Sequence, residues 1–249
     1  MPFKDDYLIP DWPAPASVCA FVSTKANSPN GPPMNSQLDP AYKAERQLWL
    51  SSWGEHLLSQ WHWSTPACWA TQVHGTEVIP ATSPYGTEAD AVWTDQLNTP
   101  CTVMTADCLP VIFCNHAGTK VAAAHAGWRG LAAGVLENTI TAMKEPADQI
   151  MAWLGPAISQ PCFEVGPEVR AAFLEHDLGA EQAFVSAEED RWFADLYRLA
   201  RQRLAKAGVT EVYGGGLCTF SDGDHFHSYR REKENAGRLL TAIWTVAKP

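Results

Sequence analysis

Apolar residues fall into short runs separated by Pro- and Gly-rich breaks, a pattern that predicts many short strands with helices between them. Residues 18–22 are the first strand-like run, after a Pro-rich start. Residues 41–53 carry apolar side chains at helical spacing, and residues 68–79 alternate like a strand. Turn formers then return over 80–100, interrupted by Ala89-Asp90-Ala91-Val92-Trp93. The apolar block 102–114 predicts a buried strand pair, or one strand broken at Asp107-Cys108-Leu109-Pro110.

Residues 120–125 form a short apolar strand, followed by Gly127-Trp128-Arg129-Gly130 and a helix to about Met143. Another strand at 152–154 stops at Gly155-Pro156. Helices are expected at 167–175 and 192–207, the second with apolar residues at 3–4 spacing and Arg on its outer face. A glycine turn (Gly214, Gly215, Gly216), two histidines (His225, His227) and a terminal strand at 239–246 complete the chain. No internal repeat or linker interrupts it. A single mixed α/β domain over 1–249 is the expected architecture.

With 46% hydrophobic residues, 249 residues can bury a core without disulfide staples. The net charge of -10 and the absence of a Lys/Arg run argue against nucleic acid and against an anionic membrane surface. No apolar stretch approaches the ~20 residues a bilayer span needs. The charged, Pro-containing start Met1-Pro2-Phe3-Lys4-Asp5-Asp6 does not read as a signal peptide. Seven cysteines, an odd number, predict reduced thiols in a cytoplasm, five or six of them core residues.

His74, before Gly75, and His125, before Ala126-Gly127, sit at expected strand ends, where α/β proteins display functional side chains. Cys108 sits in the polar break of the apolar block. Taken singly, each is more simply a packed or carbonyl-bonded residue, and their spacing matches no zinc knuckle. Should they converge, two imidazoles and a thiolate suit zinc with one open position, and also suit copper. Such an open metal site can activate water near neutral pH. Asp107 is either a strand-end cap or an acid/base group. Arg129, at a helix start, is a candidate anion ligand. Arg230 and Arg231 are either a second anion clamp or an exposed pair, and Glu164 reads as structural.

Several segments recur together in order: Gln72-Val73-His74-Gly75-Thr76, Thr105-Ala106-Asp107-Cys108-Leu109-Pro110-Val111, and Ala123-Ala124-His125-Ala126-Gly127-Trp128-Arg129-Gly130. Trp153-Leu154-Gly155-Pro156, Phe163-Glu164-Val165-Gly166, Cys218-Thr219 and Ser228-Tyr229-Arg230-Arg231 follow. From about residue 70 onward this closely resembles the laccase-domain family, also called the YfiH or polyphenol oxidase family, which includes peptidoglycan editing factors. The resemblance implies an α/β sandwich layered α-β-β-α, similar to that of some bacterial deamidating toxins. It implies a metal site at His74, Cys108 and His125, with zinc, or alternatively copper, as the cofactor. It also implies phosphorolysis of adenosine, inosine, guanosine and methylthioadenosine, and deamination of adenosine. Purine nucleosides and phosphate would then be the partners, with Arg129 and Arg230 as phosphate or substrate ligands.

Residues 1–65 depart from the family pattern, with Lys25-Ala26-Asn27 at an Arg-Gly-Gly-like turn and a shortened segment over 28–35. Three rival readings remain. A copper polyphenol oxidase is one, although eight histidines with one His-x-His pair, His225-Phe226-His227, are too few for a four-copper cluster. A cysteine hydrolase or deamidase using Cys108 and His125 is another. The third is a partner-binding protein of cell-wall editing with a structural metal.

Overall fold

A computed structural model describes residues 3–4, 7–28 and 40–248. Two β-sheets stack face to face between helices. The first is antiparallel and runs in the order β1 (Phe3–Lys4), β2 (Tyr7–Leu8), β3 (Val18–Ser23), β14 (Leu239–Thr245) and β6 (Cys101–Thr105). The second runs β13 (Glu211–Gly214), β9 (Ile150–Leu154), β7 (Leu109–Asn115), β8 (Val121–Ala126), β5 (Ala91–Thr94) and β4 (Val78–Pro80). Its edge pairs β13–β9 and β4–β5 are parallel, and the strands between are antiparallel. A small sheet of β10 (Glu164–Val165), β12 (Trp192–Ala194) and β11 (Phe184–Ser186) stands beside them.

The two-residue period of the strands divides the apolar residues among three cores. On β7, Leu109, Val111 and Phe113 face the helical layer, where α2 (Trp128–Ala133), α3 (Val135–Met143), α4 (Pro167–His176) and α5 (Leu196–Lys206) pack. Ile112 and Cys114, of opposite parity, meet Val103 of β6 and Ile243 of β14 between the sheets. On the far face, Leu240, Ala242 and Trp244 of β14 receive Leu50 and Leu57 of α1 (Pro40–Trp61). Trp53 and Trp61 lie on the same helical stripe, Trp61 stacked on Phe21 with ring centroids 4.9 Å apart. The layers are therefore α-β-β-α, the sandwich expected from the resemblance. No helix among the described residues is long and apolar enough to cross a membrane.

Residues 102–114 are indeed a strand pair, but the two strands belong to different sheets, so the polar break at Asp107-Cys108 carries the chain from one layer to the other. Three expectations need correction. Residues 68–79 form an extended loop with strand only at Val78–Pro80. The Gln72 side-chain amide, accepting from Met104 N–H and donating to Met104 C=O at 2.8 Å each, runs it along the free edge of β6 instead. The helix after Gly127 is two helices, broken at Gly134 with φ 106°. The segment 192–207 opens as strand β12, and its helix starts only after Asp195, whose carboxylate accepts from Arg198 N–H as the N-cap. The cysteines also divide differently: all seven are free, but Cys19, Cys108, Cys162 and Cys218 are only partly buried. Residues 29–35 of the shortened N-terminal segment lie outside the described residues.

Candidate metal centre

His74, Cys108 and His125 come together at one end of the second sheet. Each offers one ligand atom, and these atoms lie within 4.8 Å of one another. His74 Nε2 is 3.7 Å from Cys108 Sγ, and the two imidazole rings meet edge to face with centroids 4.8 Å apart.

His74 reaches the site from a loop held in an uncommon conformation. Its φ of 61° lies in the left-handed region, costly for a side chain other than glycine. Asp90 holds it there. One carboxylate oxygen accepts from His74 N–H at 2.9 Å, and the other accepts from Val73 N–H at 3.1 Å and Gly75 N–H at 2.7 Å. Three consecutive amides thus converge on a carboxylate that is 1% exposed. The same Asp90 receives His125 Nδ1 at 2.7 Å, and its backbone carbonyl accepts from His125 N–H. With Nδ1 so engaged, Nε2 is the nitrogen of His125 free to act as a ligand. Burial raises the pKa of Asp90, but His125 and the loop amides outweigh it and hold the carboxyl below its usual range.

Cys108 sits at the crossing between sheets, after Asp107 with φ 85°. Burial alone would push its thiol up; the charge of His125 and hydrogen bonds from His125 and His74 reverse this and favour the thiolate. The cradle is closed by glycine. A Cβ on Gly127 would stand 2.6 Å from His74 Cδ2 and 3.1 Å from Cys108 Sγ. One on Gly130 would meet the Gly75 carbonyl at 2.6 Å, so α2 packs directly against the His74 loop. These close approaches account for Gly127 and Gly130, the two glycines that follow His125.

Asp107 stands beside the trio with both oxygens occupied. Oδ1 accepts from Thr219 Oγ1 at 2.6 Å and Oδ2 from Arg230 N–H at 2.6 Å, while its carbonyl accepts from Ile158 N–H. It joins three loops next to Cys108. Arg230 donates to the Glu164 carbonyl at 3.1 Å and lies 5.6 Å over Phe163. Arg231 is committed inward, to the carbonyls of Thr219, Phe220 and Phe226 and to Glu232. The two arginines therefore do not form one clamp. Arg129 is exposed, its guanidinium 4.3 Å over the Trp128 ring, four residues past His125. Glu164 is exposed and paired with Arg191 at 3.7 Å. Lys25, at the departing N-terminal turn, bonds Glu232 at 2.7 Å and the Gly223 carbonyl.

Asp90 is the functional residue that sequence reasoning missed. A signal was present: a carboxylate between Ala89 and Ala91 in an apolar run must be paired if it is buried.

The sequence model of the family described as multi-copper polyphenol oxidoreductase laccase matches residues 53–246. Purine nucleoside phosphorylase YfiH of Escherichia coli K12 is 44% identical over 96% of this chain and 98% of its own length. A purine nucleoside phosphorylase of Pseudomonas aeruginosa is 47% identical over the same shares. Among solved structures, a Neisseria meningitidis protein superimposes with a TM-score of 0.84 at 41% identity, over 98% of this chain and 100% of that one. YlmD of Geobacillus stearothermophilus, 22% identical, shares the fold with a TM-score of 0.80 over 99% and 98% of the two chains. The likeness thus extends well before the first shared segments at residue 72, and the chain belongs to the multi-copper polyphenol oxidoreductase laccase family, the family of the YfiH proteins.

Proposed function

We propose that this chain is a metal-dependent purine nucleoside enzyme of the cytoplasm. It cleaves adenosine, inosine, guanosine and methylthioadenosine with phosphate, and it deaminates adenosine. The observation that carries the reading is the convergence of His74, Cys108 and His125 on one point behind the shared carboxylate of Asp90. Two imidazoles and a thiolate fit zinc with a fourth position left for water or substrate, and Gly127 leaves the room a side chain would fill. Zinc there supplies Lewis acidity and water acidic enough to ionise near neutral pH.

The chain's own groups do the rest. Asp90 keeps His125 Nε2 and the His74 loop aimed at the site before any ligand arrives. Arg129 holds phosphate, its planar guanidinium matching two phosphate oxygens. In phosphorolysis a phosphate oxygen forms a bond to ribose C1′ as the bond from C1′ to the purine N9 breaks, and the base leaves with a proton. In deamination, water adds at purine C6 and ammonia leaves. Asp107, with both oxygens engaged, keeps the loops carrying Thr219 and Arg230 against Cys108 and transfers no proton.

Names of relatives support the phosphorylase half: both the Escherichia coli and the Pseudomonas aeruginosa proteins are called purine nucleoside phosphorylases. The test is chromatography of products after incubating zinc-loaded protein with adenosine, with and without phosphate. The expected products are adenine and ribose 1-phosphate only when phosphate is present, and inosine in either case. His74→Ala, Cys108→Ala and His125→Ala should abolish both. A folded, zinc-loaded protein that turns over neither way would refute the proposal.

A second reading has one observation in its favour. Cys108, His125 and Asp90 form a chain of thiol, imidazole and carboxylate, the order of a cysteine nucleophile with its base and orienting acid. Metal content separates the two. A nucleophilic Cys108 predicts metal-free protein alkylated at Cys108 by iodoacetamide, whereas a ligand predicts stoichiometric zinc and protection until a chelator removes it.

A further inference from the structure

Outside the metal centre, two of the partly buried cysteines face each other. Cys162 ends a short 3-10 turn (Gln160–Cys162), and Cys218 lies in the loop after the Gly214-Gly215-Gly216 turn, 56 positions along. Ser159 brings them together. Its carbonyl accepts from Cys162 N–H at 3.0 Å, and its N–H donates to Cys218 Sγ at 3.4 Å. The Cys218 sulfur is also among the neighbours that hold the Cys162 thiol up. The backbone fixes this pairing, because Ala157 and Cys218 form a bridge in which Thr219 N–H donates to the Ala157 carbonyl at 3.0 Å.

We propose that Cys162 and Cys218 are a thiol–disulfide exchange site, with an oxidised low-molecular-weight thiol of the glutathione type as its co-substrate. Cys218 is the attacking sulfur. Burial opposes its ionisation, but Ser159 and Ser221 bond the thiolate and bring its pKa to about 7, the range in which attack at neutral pH is fastest. Cys162, whose thiol burial holds up, is the resolving partner. In the first step the Cys218 thiolate forms a bond to one sulfur of the disulfide and expels the other as a thiolate. In the second, Cys162 gives its proton to solvent and attacks Cys218, expelling the remaining small thiol. Two protein thiols are oxidised to a disulfide, and one small disulfide is reduced to two thiols. A reactive, accessible thiol beside a resolving one is the arrangement of a redox-responsive pair. By contrast Cys68, Cys101 and Cys114 are buried with their thiols pushed up, and so are inert.

The pair stands one hydrogen bond from the metal centre. Thr219, next to Cys218, donates to Asp107, the neighbour of Cys108, and Ile158 on the Cys162 side donates to the Asp107 carbonyl.

The test is to equilibrate native, zinc-loaded protein across a series of glutathione to glutathione disulfide ratios, trap free thiols, and map peptides by mass spectrometry. The expected result is loss of two trapped thiols and appearance of a peptide pair joined at Cys162 and Cys218. Cys162→Ser should stop at a glutathione adduct on Cys218 that accumulates, and Cys218→Ser should remove both products. Absence of the joined pair at every ratio would overturn the proposal, as would linkage through Cys108 or an adduct on Cys218 equally long-lived with and without Cys162. The wild-type mapping needs no variant to fold and reads nothing from nucleoside turnover, so it fails independently of the nucleoside proposal.

Discussion

Asp90 binds His125 and the backbone of His74 with the same carboxylate: Oδ1 lies 2.7 Å from His125 Nδ1 and 2.9 Å from His74 N. Two imidazoles 51 positions apart in sequence are thereby set against each other by a residue that need not touch the metal. Asp90→Asn keeps the size but removes the charge, and its amide can meet these four N–H donors with only one oxygen. The expected outcome is a loss of zinc affinity of about 10- to 100-fold, the range seen when outer partners of ligating histidines are removed. Competition with a chromophoric chelator measures it. Unchanged affinity would mean that Asp90 positions neither ligand.

Gly127→Ala tests the cradle from the other side. The added methyl would meet His74 Cδ2 at 2.6 Å and Cys108 Sγ at 3.1 Å, distances that force a side chain or the backbone to move. Because His74 is exposed, its ring can swing out and relieve the clash without unfolding the strand below. The variant should therefore melt close to the parent yet bind zinc weakly, by metal analysis after dialysis. A large fall in melting temperature with retained zinc would show that the backbone, not His74, gives way.

The trio was legible in the sequence only as a set, through the order of its flanking segments. No spacing rule joins residues 74, 108 and 125, because a loop before β4, the crossing between the two sheets and strand β8 bring them together. The strands around them were legible, since β3, β8, β9 and β14 are apolar runs that tertiary context had no reason to override. Residues 68–79 misled because their alternation reflects a loop pressed on a sheet edge, where one side is buried whether or not a ladder forms. The start at Trp192 misled because apolar spacing continued through β12 into α5, and only Asp195 marked the true helix start. Arg231 looked like an anion ligand by composition, yet four acceptors of its own chain claim it.

Tyr197 fastens the wall behind the site. Its buried hydroxyl lies 2.6 Å from the Leu217 carbonyl and 3.0 Å from that of Gly155, and accepts from Ala157 N–H at 2.9 Å. Burial, helped by the nearby Cys218 and Asp195, pushes the phenol far above its ordinary range against the opposing pull of its bonds with Ala157 and Leu217, so it stays protonated and donates. Tyr197→Phe leaves the Ala157 amide without this acceptor and the Leu217 carbonyl without its donor. The expected cost is about 1–3 kcal/mol in urea unfolding, the penalty for buried groups left unpaired. A variant as stable as the parent would mean that water replaces the hydroxyl.

Glu232 sets the acid limit of the C-terminal loops. Burial raises its pKa, but Lys25, Arg231 and His227 together bring it down to about 2 from an ordinary 4.5. A carboxylate whose pKa is lower folded than unfolded binds more protons when unfolded, so stability rises with pH through the interval between the two values. The contribution is complete above about pH 4.5 and is lost as pH falls toward about 2. Glu232→Gln keeps the shape and removes the titration. Its unfolding free energy should be lower than the parent's at neutral pH, and the gap should close over that interval as the parent loses its advantage. Denaturant unfolding at several pH values reads this directly, and a gap that stays constant with pH would assign the difference to packing. Because Lys25 supplies one of the three partners that hold Glu232 ionised and belongs to the N-terminal turn that departs from the family pattern, Lys25→Ala should reproduce part of the same narrowing.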